Sequence, residues 1–253
     1  MKFSLFLNTR HRVGLLGDLL QSIERVTDRP EEVEILLGID KDDYATTTFI
    51  DHLDMVVSNL DLKDNIFVYS DNRPTNLHVK MNFLASQSTG DYLFVLNDDV
   101  QFITPGWDSL ILEAIKKKAR EPDNVYYIGV NDTSIDKDSE KNYASFPILT
   151  REAYDALGYF MSEKFVGLGA DVHLWRIFSD LDRCIDIPQV ILDHVRHNTL
   201  DKVLSPDAVA QQMRENTYAN PVDSWAVDIS EDKERIKERI NEKITGDIQH
   251  LWD

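Results

Sequence analysis

The stretch Asp91-Tyr92-Leu93-Phe94-Val95-Leu96-Asn97-Asp98-Asp99-Val100 decides how this chain is read. A short apolar run ends abruptly in Asn-Asp-Asp. Bounded in this way, the run reads as a buried strand that delivers two adjacent carboxylates to its carboxyl end. In open α/β sheets that edge is where ligands bind. Paired carboxylates there suit a hard divalent cation, Mn²⁺ or Mg²⁺, and through it a diphosphate. Asn and Asp also end strands and start turns for local reasons alone, so the segment has to be weighed with its surroundings.

Those surroundings alternate. Residues 2–8 read as a strand, and Leu16, Leu19, Leu20 and Ile23 recur at helical spacing within 13–26. Residues 33–39 form a continuous apolar run, as expected of a strand covered on both faces. A second helix is predicted over 46–60, with Phe49, Ile50, Leu53 and Val56 or Leu60 on one face. Residues 66–69 read as a strand, and 77–87 as a helix that Gly90 stops. Trp107, Leu110, Ile111, Ala114 and Ile115 mark an amphipathic helix, followed by a strand at 125–130. This alternation predicts an α/β fold with a mainly parallel sheet and right-handed crossovers.

Later segments break the rhythm. Residues 131–142 are polar and acidic and read as a surface loop. A short strand at 145–149 and a helix at 151–157 capped by Thr150 follow. Then come a glycine-containing turn at 165–169, a helix at 171–181 and a last strand at 189–192. From 205 onward the character changes to a charged helix at about 231–244, with sparse apolar positions Ile236, Ile240 and Ile244. That helix reads as one laid on the surface or at a subunit contact, which would make the chain a homo-oligomer.

Composition narrows the function. With 253 residues and 42% hydrophobic content, the chain can bury a sizeable core. Its net charge of -18 argues against nonspecific nucleic-acid binding and against an anionic membrane surface. It also means that a phosphate-bearing substrate would need a metal ion or local Lys and Arg. The single cysteine, Cys184, forms no internal disulfide and reads as a small buried apolar residue. The opening apolar run is too short for a signal peptide, and no stretch approaches the roughly 20 apolar residues of a membrane span. A cytoplasmic setting is expected.

Several segments together resemble the family 2 glycosyltransferases of GT-A fold. Thr9-Arg10-His11-Arg12, followed by Leu15, Leu19 and Ser22-Ile23, is similar to the family's opening Thr-Arg-Asn-Arg and its first helix. Glu34-Ile35-Leu36-Leu37-Gly38-Ile39-Asp40 resembles its second strand, and Lys80-Met81-Asn82 with Gly90-Asp91-Tyr92 its later helix and strand. Asn97-Asp98-Asp99 falls where the family's Asp-x-Asp lies, and Gly169 to Arg176 is similar to its "ED.DL..R" segment. The resemblance covers about residues 2–197 and rests on the order and spacing of these pieces.

The resemblance implies a Rossmann-like domain at 1–204, with a nucleotide-binding half at about 1–100 and an acceptor half at about 101–204. Residues 205–253 have no placeable counterpart in the family and read as a helical tail. The resemblance further implies a nucleoside-diphosphate sugar donor, UDP-sugars favoured, and a glycan or other hydroxyl acceptor. Two departures stand out. Asn97 replaces the first Asp of the motif, though Asn can still hydrogen-bond a ribose hydroxyl. Ala170 replaces the Glu expected to aid acceptor binding.

Candidate roles follow. Asp99 is the first-choice metal ligand, with Asp98 beside it; the family's late histidine would be His194 or His197. The alternative for that pair is a surface role. Thr9, Arg10 and Arg12 end the first strand at the same crevice, where they could meet the base and phosphates; a solvated arginine is the alternative. Lys80 and Arg196 could add positive charge at the diphosphate, with a solvated surface role as the alternative for each. Asp40 could accept a ring N–H of the nucleobase, while Asp42 and Asp43 read as turn residues. Asp171 is the candidate general base, or else a helix-start carboxylate whose helix dipole would favour the charged form and weaken it as a base. Trp107 and Trp175 could stack on a sugar, but both sit at helical core spacing, which favours the core. A sugar nucleotidyltransferase would need a glycine-rich loop that Asn8 to Arg12 lacks. A catalytically impaired binding module is the remaining alternative, kept open by Asn97 and Ala170.

Overall fold

The computed structural model describes residues 1–74, 76–119, 121–133, 143–166, 169–194 and 224–249. Arg196, His197, most of the expected 131–142 loop and part of the glycine turn lie outside the described residues.

A mixed sheet is the frame. Its strands are β1 (Phe3–Asn8), β2 (Val33–Asp40), β3 (Ile66–Asp71), β4 (Tyr92–Val95), β5 (Val100–Phe102), β6 (Tyr127–Asp132), β7 (Ile148–Thr150) and β8 (Cys184–His194). They lie in the order β3-β2-β1-β4-β7-β6-β8-β5. β1 pairs in parallel with both β2 and β4, β2 with β3, and β6 with β8. The other pairings are antiparallel. After β1 the chain builds outward through β2 and β3, then returns to lay β4 on the other side of β1. That reversal opens a crevice beyond the carboxyl ends of β1 and β4.

Helices cover both faces. On one side α1 (Val13–Val26) and α5 (Trp107–Lys118) bury Leu16, Leu19, Ile23, Trp107 and Ile111. Trp107 is a core residue as its spacing predicts: it is fully buried, with the rings of Phe3 and Phe102 at 5.0 and 4.9 Å. On the other side lie α4 (Leu77–Gln87), α6 (Arg151–Leu157), α7 (Ala170–Ser179) and α8 (Ser230–Gln249). Thr150 caps α6 as expected, its side chain accepting from the Ala153 amide. No helix among the described residues is long and apolar enough to cross a membrane.

The helix expected at 46–60 is broken. Instead there are α2 (Tyr44–Ile50), a 3₁₀ turn (Leu53–Met55) and α3 (Leu60–Lys63). The β-branched run Thr46-Thr47-Thr48 and Ile50 favour helix weakly. Helix α2 ends at its C-cap Asp51, and a tertiary contact holds the stretch before α3: the Glu24 carboxylate on α1 accepts from the Ser58 amide, the Ser58 hydroxyl and the Asn59 amide. Asn59 then accepts from the Leu62 amide and restarts the helix.

The last strand is longer than its apolar pattern indicates, because Pro188-Gln189 interrupts the alternation. It carries β5 along its edge, with Val100 opposite His194. The expectation stopped at residue 192 and omitted β5, so it missed this pairing, which seats His194 beside the acidic pair. Asp123 and Arg183, both buried, form a two-bonded pair at 3.1 and 3.0 Å that ties the entry of β6 to that of β8.

The C-terminal segment packs on α6 and α7. Ile236 is fully buried, Arg176 Nη1 donates to the carbonyls of Ser224 and Val227, and Lys233 meets Asp180. His173 on α7 is fully buried under this segment, its Nε2 3.6 Å from Asp232 Oδ2 and its ring 5.2 Å from that of Phe165. Burial pushes the His173 pKa from 6.5 down to about 4, and Asp232 offsets only part of that. The unfolded chain therefore takes up this proton more readily than the folded one. The neutral form's contribution to stability is complete above about pH 6.5 and is lost as the pH falls toward about 4. Urea midpoints at pH 7.5 and pH 5 should show the folded state weaker at pH 5. His173→Phe should flatten that difference, and an unchanged difference in the variant would remove His173 from the account.

Candidate active site

The turn after β1 and the turn after β4 meet in the crevice. The Thr9 hydroxyl donates to Asp98 Oδ2 at 2.8 Å. Arg12 Nη1 donates to Asp98 Oδ1 at 2.9 Å and to Asp99 Oδ2 at 3.4 Å. Both aspartates are about 4% exposed. Burial pushes the Asp98 carboxyl upward, against the pull of Arg12 and the Thr9 hydroxyl.

The β1 turn is itself fixed. His11 takes a left-handed backbone, φ 53°. The fully buried Asp43 holds it, accepting from the His11 amide at 2.8 Å and lying 2.9 Å from His11 Nδ1. Asp43 also caps α2 through the Thr46 amide and hydroxyl. Burial opposes its charge, yet these hydrogen bonds hold its pKa below the usual range. Asp43 is thus a turn residue, as expected.

A second cluster sits at the end of β2. Lys80, buried on α4, donates to Asp40 Oδ1 at 2.6 Å and to the Ile39 carbonyl at 3.0 Å. Arg10 Nη1 donates to Asp40 Oδ2 at 3.0 Å and to Asp42 Oδ1 at 2.5 Å, and Nη2 reaches Asp42 Oδ2. Hydrogen bonding to Asp42 raises the Arg10 pKa further. Lys80 therefore holds Asp40, where the sequence suggested a charge for a diphosphate. Asp42 grips Arg10, a role beyond the turn expected of it.

His194 closes the third side. Its Nε2 lies 3.5 Å from Asp99 Oδ1, and its Nδ1 3.6 Å from Asp132 Oδ2 at the end of β6. The Phe146 ring stands edge-on to the imidazole at 4.9 Å. Burial works against its charge, but Asp132 and Asp99 lift its pKa to about 9. Two donors each about 2.1 Å from one ion, at right angles or somewhat wider, are about 3.0–3.5 Å apart. Asp99 Oδ1 and His194 Nε2 meet that spacing. Among the described residues no group of three or more His, Cys, Asp or Glu is disposed to hold a metal.

Asp171 begins α7, two residues after Gly169, whose φ of 98° turns the chain into the helix. Burial raises its pKa. The amides of Val172, Asp171 and Gly169 pull it back only partly, and the charge of Asp132 adds to the rise. Desolvation thus outweighs the pull of the helix start on this carboxyl.

Of the candidate residues, Thr9, Arg12, Asp98, Asp99 and His194 are joined directly, and Arg10, Asp40 and Lys80 adjoin them through the β1 turn. Asn97 is exposed and makes no hydrogen bond to the others. Asp132 was missed. Its signal is Val130-Asn131-Asp132, a strand ending in Asn-Asp as at Asn97-Asp98.

A sequence profile described as glycosyl transferase family 2 matches residues 9–168. No curated protein matches the chain in sequence. Among solved structures, S. aureus TarS 1-349 in complex with UDP-GlcNAc superposes with a TM-score of 0.60 at 11% identity, over 95% of this chain and 72% of that one. S. aureus TarS itself gives 0.58 at 11% identity, over 95% and 43%. The mannosyltransferase PcManGT from Pyrobaculum calidifontis, in complex with GDP-Man and Mn²⁺, gives 0.60 at 12% identity, over 94% and 73%.

Proposed function

Because the chain belongs to glycosyl transferase family 2, we propose that it is an inverting, metal-dependent glycosyltransferase. It moves a sugar, of hexose type, from a nucleoside-diphosphate sugar to a hydroxyl acceptor. The observation that carries this reading is the convergence of Thr9, Arg12, Asp98, Asp99 and His194 beyond the ends of β1, β4 and β8. Asp171 stands within electrostatic reach through Asp132. Residues 1–204 are read as the transferase domain and 205–253 as a helical appendage.

Asp99 and His194 would hold Mn²⁺ or Mg²⁺, a small set suited to a cation that keeps waters and takes phosphate oxygens. When bound, such an ion stabilises the negative charge that develops on the leaving diphosphate. Arg12 would swing its second guanidinium edge to the same oxygens while keeping Asp98 neutralised. Asp40 accepts a ring N–H of the nucleobase, with Lys80 and Arg10 fixing its carboxylate. UDP donors are favoured, and the GDP-Man complex of one neighbour keeps guanine under test. Asp171 takes the acceptor proton as the new bond forms. Its raised pKa strengthens it for that task.

Three measurements test this. Nucleoside-diphosphate affinity should depend on Mn²⁺, and Asp99→Ala should lose that dependence while staying folded; full affinity in chelator would end the metal reading. Asp171→Asn should keep donor affinity and lose about 10²–10⁴-fold in kcat. Near-normal turnover would return Asp171 to a structural role, and donor binding without turnover in the wild type would favour a binding module. Finally, a single base on the acceptor side implies one in-line displacement. Proton NMR of the first product should show an anomeric configuration opposite to the donor's, and retention would refute it.

A further inference from the structure

Trp175 and Trp225 differ from the other aromatic residues near the site. Sequence spacing assigns Trp175 to the core, as it does Trp107. Trp107 is fully buried, whereas Trp175 is only partly buried and Trp225 is 42% exposed. The two rings stand nearly perpendicular, 71°, with centroids 6.0 Å apart. The Arg176 guanidinium lies 5.9 Å from the Trp225 ring centroid while its Nη1 donates to the carbonyls of Ser224 and Val227. Trp225 is thereby held in place yet kept at the surface.

Its position follows from α7. The buried face of that helix carries Ala170, Val172, His173, Leu174, Ile177 and Phe178. Asp171 and Trp175 are both partly exposed and stand one helical turn apart, on the border of that face beside the buried Leu174 and Phe178. A helical side chain leans over the turn N-terminal to its own Cα, so Trp175 leans toward Asp171. At the helix start, a side chain on Gly169 would come within 3.1 Å of Ser224 Cβ, so the segment that presents Trp225 lies against the backbone leading into Asp171. A large, fixed aromatic corner is therefore built beside the candidate base. The donor-side groups lie elsewhere, at the ends of β1 and β4.

We propose that Trp175 and Trp225 form a saccharide-binding subsite that seats a pyranose ring of the acceptor next to Asp171. A pyranose has an apolar face of C–H bonds and a polar rim of hydroxyls, and an exposed indole offers that face a broad, rigid surface. Arg176 and Trp175, both on α7, hold the indole in place. This rests on the transferase reading for the word acceptor, but the binding site itself can be tested apart from it.

The full chain and its Trp225→Ala and Trp225→Phe variants are titrated calorimetrically with chitotriose, mannotriose and maltotriose. Saturation-transfer NMR identifies the sugar protons in contact, and UDP with Mn²⁺ is titrated in parallel. At least one trisaccharide should bind the wild type through its C–H face. Trp225→Ala should weaken it roughly threefold to tenfold, Trp225→Phe should restore most of the loss, and UDP affinity and melting temperature should be unchanged in both. Equal saccharide affinity in Trp225→Ala, or no binding of any of the three by the wild type, overturns the subsite. Trp225-dependent saccharide binding by a wild type that binds no nucleoside diphosphate upholds the subsite and refutes the transferase reading instead.

Discussion

Asp98 and Asp99 place two like charges side by side where water scarcely reaches. An ionised carboxylate in such a place costs several kcal/mol unless it is paired and hydrogen-bonded. The rest of the crevice is the answer to that cost. β1 must end level with β4 so that Thr9 and Arg12 meet Asp98. The turn after β1 must adopt a left-handed residue at His11, which Asp43 pins. β8 must run far enough to bring His194 opposite Val100. Three separate stretches of chain are thereby brought to one acidic pair.

Local neutralisation also addresses the charge of -18. Arg10, Arg12 and Lys80 each hold a carboxylate in this structure. On the proposed reading, a diphosphate entering the crevice would meet cations that already have partners and would share or displace them. A divalent ion would add positive charge where Asp40, Asp42, Asp98 and Asp99 outnumber these cations. The three basic residues would then act less as a general attractant than as fixed hydrogen-bond donors of set geometry.

Much of this was legible in the sequence, for identifiable reasons. Local patterns carried β2, α4 and the Thr150 cap, because continuous apolar runs and capping residues act within a few positions. The acidic pair was legible as a local feature because an apolar run ends in it, although turn chemistry alone also places Asn and Asp at strand ends. What escaped depended on distant partners. Glu24 on α1 holds Ser58 and Asn59 outside any helix. β5 is three residues long and exists only by pairing with β8. Asp132 joined the site because β6 lies beside β8, a neighbour relation no local pattern encodes. Trp175 packs partly buried against the core, as its spacing predicts, but its contact with Trp225, some fifty residues later, is not encoded in that spacing.

That separation has a consequence for how the protein comes into being. β1, β2, β4 and the acidic pair lie within the first hundred residues and can associate as soon as they emerge during synthesis. The segment from Ser224 to Ile236 comes much later in the chain, yet it packs on His173 and on the start of α7. The acidic pair can therefore form before the helix that carries Asp171 is packed. Without that segment, His173 and the flank of Leu157 and Leu174 would be open to water.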